Sequence, residues 1–402
     1  MGRKGREKMQ REFNEQMLQN GRLLITMNAP QQNIWIVSNT TWYVFNFRSR
    51  LISELTQRGY SVTVLSPADD YVARIQSLGS RHLHLEMDNA GTNPVRDLLM
   101  IARLMALFKR ERPALLLTYT PKVNIYCAVA AKWTNVPVVS NISGLGTGFI
   151  RGGWLSLLVR ALYRLALTHP KKVFFQNEDD HRLFIDYGLV AAGKTERLPG
   201  SGVDVNRFRP VERSLPGRHF IFLMVARLLR DKGVSEYVEA ARQLREKHPA
   251  VRFHLLGFLD ARNPTAISRE QVQEWERAGL VCYLGAADDV TPYYADADCV
   301  VLPSYREGCP RSLLEAASMA KAIITTDVPG CRQVVDDGVT GLLVKVRDAL
   351  DLAGKMERML SYTEDERRAM GHRGREKMIR EFDEKIVIDR YLQVIDETVG
   401  CR

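Results

Sequence analysis

No run in this chain approaches ~20 consecutive apolar residues, so no membrane-spanning helix is expected. The N-terminus has no apolar core of the signal-peptide kind. The six cysteines (Cys127, Cys282, Cys299, Cys309, Cys331, Cys401) fall in no C-x-x-C or metal-binding spacing. They read as reduced thiols of a cytosolic protein. The eight histidines are scattered, without an H-x-x-x-H or H-E-x-x-H pattern. No Ser-His-Asp set can be argued from spacing. Paired carboxylates occur at Asp69-Asp70, Asp179-Asp180 and Asp288-Asp289, but none stands as a D-x-D at a strand end. Asp296-Ala297-Asp298 has those letters, yet it precedes a strand, which makes it a helix-end turn. No metal is expected. The aromatic and basic residues do not interleave as in nucleic-acid readers, so no nucleic-acid partner is expected either.

What is present is ordinary globular material, 45% hydrophobic and 26% charged over 402 residues, which favours two domains. The net charge of +10 is uneven. Residues 1–200 hold 26 Lys and Arg against 15 Asp and Glu, net +11; residues 201–402 hold 31 against 32, net −1. A basic half joined to a neutral half suggests that one domain meets an anionic surface or substrate.

Residues 1–26 form a charged, helix-prone extension. Gly5–Glu15 matches Gly374–Glu384 at nine of eleven positions. The expectation is a remnant of an upstream related gene, or a start placed too early with Met27 the natural start, rather than a functional second copy of a helix. From Asn33 onward, strand and helix patterns alternate in the doubly wound manner. The first unit is a strand over Asn33–Ser38, a loop through Asn39-Thr40-Thr41-Trp42, a helix over Val44–Arg58 and a strand over Tyr60–Ser66. The leucines of Trp154–Thr168 recur at helical spacing beside Arg151, Arg160 and Arg164, which suits either a half-buried helix or one resting on an anionic membrane. The N-terminal domain is assigned to 27–205 and a Pro- and Gly-bearing linker to 206–218. A second α/β series fills 219–382, including a short helix at Cys331–Val335. The C-terminus reads as two long helices, 348–361 and 364–399, of which 383–402 leaves the second domain.

Two stretches carry the chemistry. In Ala297–Ala317 an apolar run stops at Pro303-Ser304, a turn carries Glu307 and Gly308, and a helix starts after Pro310. Free N–H groups and the helix dipole at such a start favour an anion. Two carboxylates eight residues apart, Glu307 and Glu315, could bind sugar hydroxyls. The second stretch, Val225–Gly233, ends a strand and brings Arg227, Arg230 and Lys232 before a glycine. Arginine makes a forked phosphate contact and lysine a point-charge one.

With Glu307–Glu315 as an E-x7-E motif, LPSYREGCPRSLLEA around it and DVPGCRQVVDDGVTGLLV after it, the chain resembles retaining nucleotide-sugar glycosyltransferases of the group-1 type. The resemblance spans about Ile34 to Ile395. It implies a GT-B fold: two Rossmann-like doubly wound domains facing a cleft, with the last helix crossing back to the N-terminal domain. It also implies that Glu307 faces the donor sugar and Glu315 the ribose hydroxyls. Gly308 stands at the donor turn, Ser312 and Leu313 offer backbone amides to the diphosphate, and Arg227 and Lys232 clamp it and stabilise the leaving group without a metal. That family usually has an aromatic residue or Met where Cys309 stands.

The segments Trp42–Arg48, Leu117–Asn124 and Ser143–Phe149 resemble bacterial enzymes that extend undecaprenyl-diphosphate-linked sugars in cell-surface polysaccharide assembly. The implied donor is a UDP-sugar, the implied acceptor a lipid-linked glycan at the inner face of the cytoplasmic membrane, and the implied linkage α. Asn39, Arg48 and Lys122 are the candidate acceptor contacts. Many relatives carry a glycine pair where Asn39-Thr40-Thr41 stands, so backbone cradling of a phosphate there is not expected. The alternatives are a retaining transferase on a soluble sugar acceptor and a basic nucleic-acid-binding protein.

Overall fold

The computed structural model describes residues 32–87, 93–145, 149, 153–211, 219–259 and 263–400. The 1–26 extension, Gly146–Gly148 and most of the 206–218 linker lie outside them.

The first sheet is built from β1 (Asn33–Val37), β2 (Ser61–Ser66), β3 (Arg81–His84), β4 (Leu115–Tyr119), β5 (Val138–Ile142), β6 (Lys172–Phe175) and β7 (Thr195–Arg197). Every pair is parallel, in the order β3-β2-β1-β4-β5-β6-β7. The second sheet contains β8 (Ile221–Val225), β9 (Arg252–Leu256), β10 (Cys282–Tyr283), β11 (Cys299–Leu302), β12 (Ala322–Thr326) and β13 (Leu342–Val344). Its order is β10-β9-β8-β11-β12-β13, again parallel. Central strands covered by helices on both faces must be apolar on both faces. Ile34, Trp35, Ile36 and Val37 are accordingly all fully buried, as are Cys299 and Val301. In each sheet the strand order reverses once, between β1 and β4 and between β8 and β11. Such switch points open a crevice at the carboxyl ends of the strands.

The helix after β1 starts at Thr41, three residues earlier than its apolar pattern suggests. Thr40 is the reason: its side chain accepts the Tyr43 N–H and caps the helix, so Thr41 and Trp42 belong to the first turn. Cys331–Val335 is not a helix but a chain of tight turns. It follows Gly330 at φ +83°, and the Asp336 N–H donates to Thr340 Oγ1 instead of continuing a helical ladder.

The last helix is also interrupted. Glu364–Lys377 runs into a π-helical turn, Met378–Phe382, and a new helix, Glu384–Val399, starts at Asp383, whose side chain accepts the Lys385 N–H. The break lies where the chain crosses between domains. There the Val203 N–H donates to Phe382 O (2.8 Å) and the Glu384 N–H to Val203 O (3.0 Å). A side chain on Gly202, at φ +70°, would come within 2.4 Å of Glu384 Cα, so the two crossing strands need glycine there. Past the break, Val387, Ile388, Tyr391, Leu392 and Ile395 bury into the core of the first sheet with Ile34, Val44 and Leu117. This is the GT-B architecture, with its C-terminal helix returned to the N-terminal domain.

Candidate active site

The carboxyl ends of both sheets face one cavity of about 860 Å³. Arg227, Lys232, Glu307, Gly308, Ser312 and Glu315 line it from the second domain; Asn39, Thr40, Trp42, Arg48 and Thr120 line it from the first. Lys122 and Leu313, both expected at the site, are not among its lining residues.

On the second-domain wall two loops lock together. The Tyr305 N–H donates to Asp231 O (2.9 Å) and Ser304 Oγ to the same oxygen (3.1 Å). Gly233, at φ +77°, sits so close that a Cβ would lie 2.1 Å from Pro303 O. This backbone contact sets the Arg227–Lys232 loop against the E-x7-E turn, and Lys232 Nζ then reaches Glu307 Oε1 at 2.5 Å. The side chains are 20% and 12% exposed, so water screens the pair only partly. Glu315 is equally enclosed, its side chain 12% exposed. Its carboxylate accepts from Arg311 Nε (2.8 Å) and from Tyr294 OH (3.3 Å). Burial nonetheless raises its pKa, against the pull of the Arg311 charge. The Leu313 N–H is already donated to Pro310 O at 3.1 Å, which closes the first helical turn. Ser312 N–H is left without a backbone acceptor among the described residues, and it is the amide available to an anion. Cys309 lines the cavity and packs against Gly200, and burial pushes its thiol up to about 12. Asp298, of the discarded D-x-D, accepts the Ile221 N–H at 2.8 Å and so ties β8 to β11.

Contacts between the domains were not legible in the sequence. Asn177 Nδ2 donates to Gly308 O at 2.9 Å, and a Cβ on Gly308 would lie 2.1 Å from Ser143 O. Gly308 is thus needed for close approach of the first domain. Arg306 is ion-paired with the buried Asp180 of the first domain. Arg311, besides holding Glu315, donates through Nη1 to Asn46 O at 2.7 Å. Its i, i+4 spacing to Glu315 was the one available signal. Among the described residues no three His, Cys, Asp or Glu cluster as a metal site.

Comparison with known proteins gives a consistent picture. The sequence pattern described as "Glycosyl transferases group 1" matches residues 207–377, and "Glycosyl transferase 4-like domain" matches residues 47–201. The chain is 30% identical over 383 residues to the N,N'-diacetylbacillosaminyl-diphospho-undecaprenol alpha-1,3-N-acetylgalactosaminyltransferase of Campylobacter jejuni, covering 91% of this chain and 99% of that protein. It is 25% identical over 266 residues to the UDP-Gal:alpha-D-GlcNAc-diphosphoundecaprenol alpha-1,3-galactosyltransferase of Escherichia coli, covering 63% of this chain and 68% of that one. HepE of Anabaena, solved with UDP and glucose, shares the fold with a TM-score of 0.72 at 16% identity, over 91% of this chain and all of that one.

Proposed function

Because this chain belongs to the group-1 glycosyltransferase family, we propose that it moves a hexose or N-acetylhexosamine from a UDP-sugar to a sugar carried on a polyprenyl diphosphate, with retention and hence an α-linkage. The observation that carries this reading is the end-to-end similarity to the Campylobacter enzyme, whose name specifies a diphospho-undecaprenol acceptor and an α-linked product. In this reading the second-domain wall holds the donor. Arg227 and Lys232 offset the diphosphate charge as it grows on the leaving group, so that no metal is required. The Ser312 N–H adds a backbone donor at the helix start. Glu315 takes the ribose hydroxyls, and Glu307, steadied by Lys232, faces the transferred sugar. The bond from the anomeric carbon to the β-phosphate oxygen breaks as the acceptor oxygen attacks the same face. The acceptor proton passes to the departing phosphate, so UDP leaves and no protein base is needed.

We place the enzyme on the inner membrane leaflet. No described helix is long and apolar enough to cross a membrane. The Gly153–Ala166 helix, however, turns leucines outward: Leu157 is 67% exposed, Leu158 46%, Leu162 36% and Leu165 53%. It packs beside the Pro121–Thr134 helix, which packs beside Pro94–Glu111, where Val95, Leu98 and Leu99 are also exposed. Together these three helices carry eight Lys and Arg and only two Asp and Glu. An apolar, cationic face suits anionic lipid, whereas two copies of it would repel each other.

The test is a screen of purified protein with UDP-sugars and a polyprenyl-diphosphate-linked monosaccharide, read by released UDP and by α-specific digestion of the product. The reading expects UDP release that requires the lipid-linked acceptor. Equal transfer to a free sugar would favour the soluble-acceptor alternative.

A further inference from the structure

The first-domain wall of the cleft holds an unusual cation. Arg48, on the helix after β1, is 3% exposed, yet it lines the cavity. Its guanidinium lies 4.4 Å over the ring of Tyr119, with Tyr391 at 5.8 Å and Tyr43 at 6.0 Å. Among the described residues no carboxylate is paired with it. Glu384, the acid lining the same part of the cavity, is taken by Arg50 at 2.8 Å. Arg48 Nη1 donates to Phe47 O, but Nε and Nη2 are buried without an acceptor among the described residues.

The neighbouring wall is also unsatisfied. Thr120, the residue after Tyr119, lines the cavity, and its buried Oγ1 has no partner among the described residues. Its backbone sits at φ +74°, ψ 148°, a conformation that a β-branched residue rarely adopts. These residues stand at the β1/β4 switch point, where an α/β sheet opens its ligand crevice. A buried guanidinium with only aromatic faces around it is costly to keep charged. Tyrosine faces attract the cation and fix its plane, and Nε and Nη2 keep no hydrogen-bond acceptor among the described residues. Two fork donors and a hydroxyl are therefore left for an anion with several acceptor oxygens, which is the chemistry of a phosphate.

We infer that Arg48, held by its tyrosine cage and joined by Thr120 Oγ1, receives a phosphate of the acceptor's diphosphate. A phosphate could also come from the donor. The donor-binding cations Arg227 and Lys232, however, stand on the opposite domain, so the acceptor is the source the geometry favours. Tyr391 comes from the crossover helix and packs with Phe174 and Tyr119. The site is thus complete only when that helix is docked on the first domain. The inference rests on the lipid-linked acceptor proposed above.

The experiment compares wild type, Arg48→Met and Arg48→Lys on two acceptors bearing the same sugar, one a polyprenyl diphosphate and one an alkyl glycoside without phosphate. UDP affinity is measured by calorimetry as the donor-site control. The expected result is a fall of about tenfold or more in the kcat/KM ratio between the two acceptors for Arg48→Met. The change should be carried by KM, recover partly in Arg48→Lys, and leave UDP affinity unchanged. If both acceptors lose equally, Arg48 is a packing pillar and the inference is overturned. If Arg48→Met does not fold, Thr120→Val and wild-type inhibition decide. Thr120→Val should lower the same ratio, and farnesyl diphosphate should compete with the acceptor at saturating UDP-sugar. Competition with UDP-sugar alone would overturn the assignment. Transfer confined to phosphate-free sugars would sink both this inference and the proposed function. Indifference of Arg48→Met on the diphosphate acceptor would sink this inference alone.

Discussion

The two walls of the cleft handle charge in opposite ways. On the second domain two cations that line the cavity are paired with acids of the same wall, Lys232 with Glu307 and Arg311 with Glu315. On the first domain Arg48 lies among three tyrosine rings and, among the described residues, is paired with no carboxylate. A paired wall is pre-organised: a ligand bearing both a diphosphate and hydroxyls can exchange partners with it, phosphate for Lys232 and hydroxyl for Glu307, without leaving a bare charge. An unpaired cation instead waits for its partner, and its binding strength depends on the anion that arrives. With the donor on the second domain and the acceptor on the first, as proposed, the donor wall should therefore be sensitive to loss of either pair member, and the acceptor wall to the identity of the ligand.

Substitutions can break this comparison at different points. The largest effect is expected for Glu307→Ala, which removes the carboxylate proposed to face the sugar and strands Lys232. Turnover should fall on the order of a thousandfold while circular dichroism stays native, and unchanged turnover would remove Glu307 from the mechanism. Next is Arg227→Ala. Losing a charge-assisted phosphate contact should weaken UDP about 10- to 100-fold by calorimetry, with acceptor KM little altered; unaltered UDP affinity would count against the clamp.

Gly308→Ala sharpens the contrast from the seam between the walls. A methyl group 2.1 Å from Ser143 O must push the domains apart. Turnover should drop about tenfold with UDP affinity falling less, since the added methyl group meets Ser143 and Gln176 of the first domain. A loss confined to UDP binding would mean that Gly308 serves only its own turn. A smaller effect is expected from Leu158→Glu with Leu162→Glu, which should reduce flotation with phosphatidylglycerol vesicles and spare transfer to a short-chain acceptor. The smallest belongs to a chelator: EDTA should leave the rate within about twofold if Arg227 and Lys232 carry the leaving-group charge.

Local sequence made the donor wall legible and left the seam hidden. The strand–turn–helix around Glu307 could be read because an apolar run, a Pro-Ser stop and a Pro-led helix start lie within twenty residues of one another. The alternation of strands and helices likewise revealed both α/β domains. By contrast, Lys232 and Glu307 are 75 positions apart, and the contacts of Asp231 and Gly233 with Pro303, Ser304 and Tyr305 bring them together. Gly308 read as a turn glycine because nothing nearby in the chain announces Ser143. Arg306 drew no assignment because its partner, Asp180, lies 126 positions away. The Cys331–Val335 turns and the break at Asp383 were misread for a related reason. Apolar spacing suggested helix, while a left-handed glycine, an Asp cap and a crossing strand dictated otherwise.

The most direct test of the account is the acceptor dependence of UDP release. Purified wild type and Glu307→Ala are each given a UDP-N-acetylhexosamine or UDP-galactose with a polyprenyl-diphosphate-linked sugar, and with the same sugar lacking the lipid diphosphate. The account predicts rapid UDP release by wild type with the diphosphate acceptor, little with the other, and almost none from Glu307→Ala. Release by wild type that ignores the diphosphate, or that survives Glu307→Ala, would contradict it.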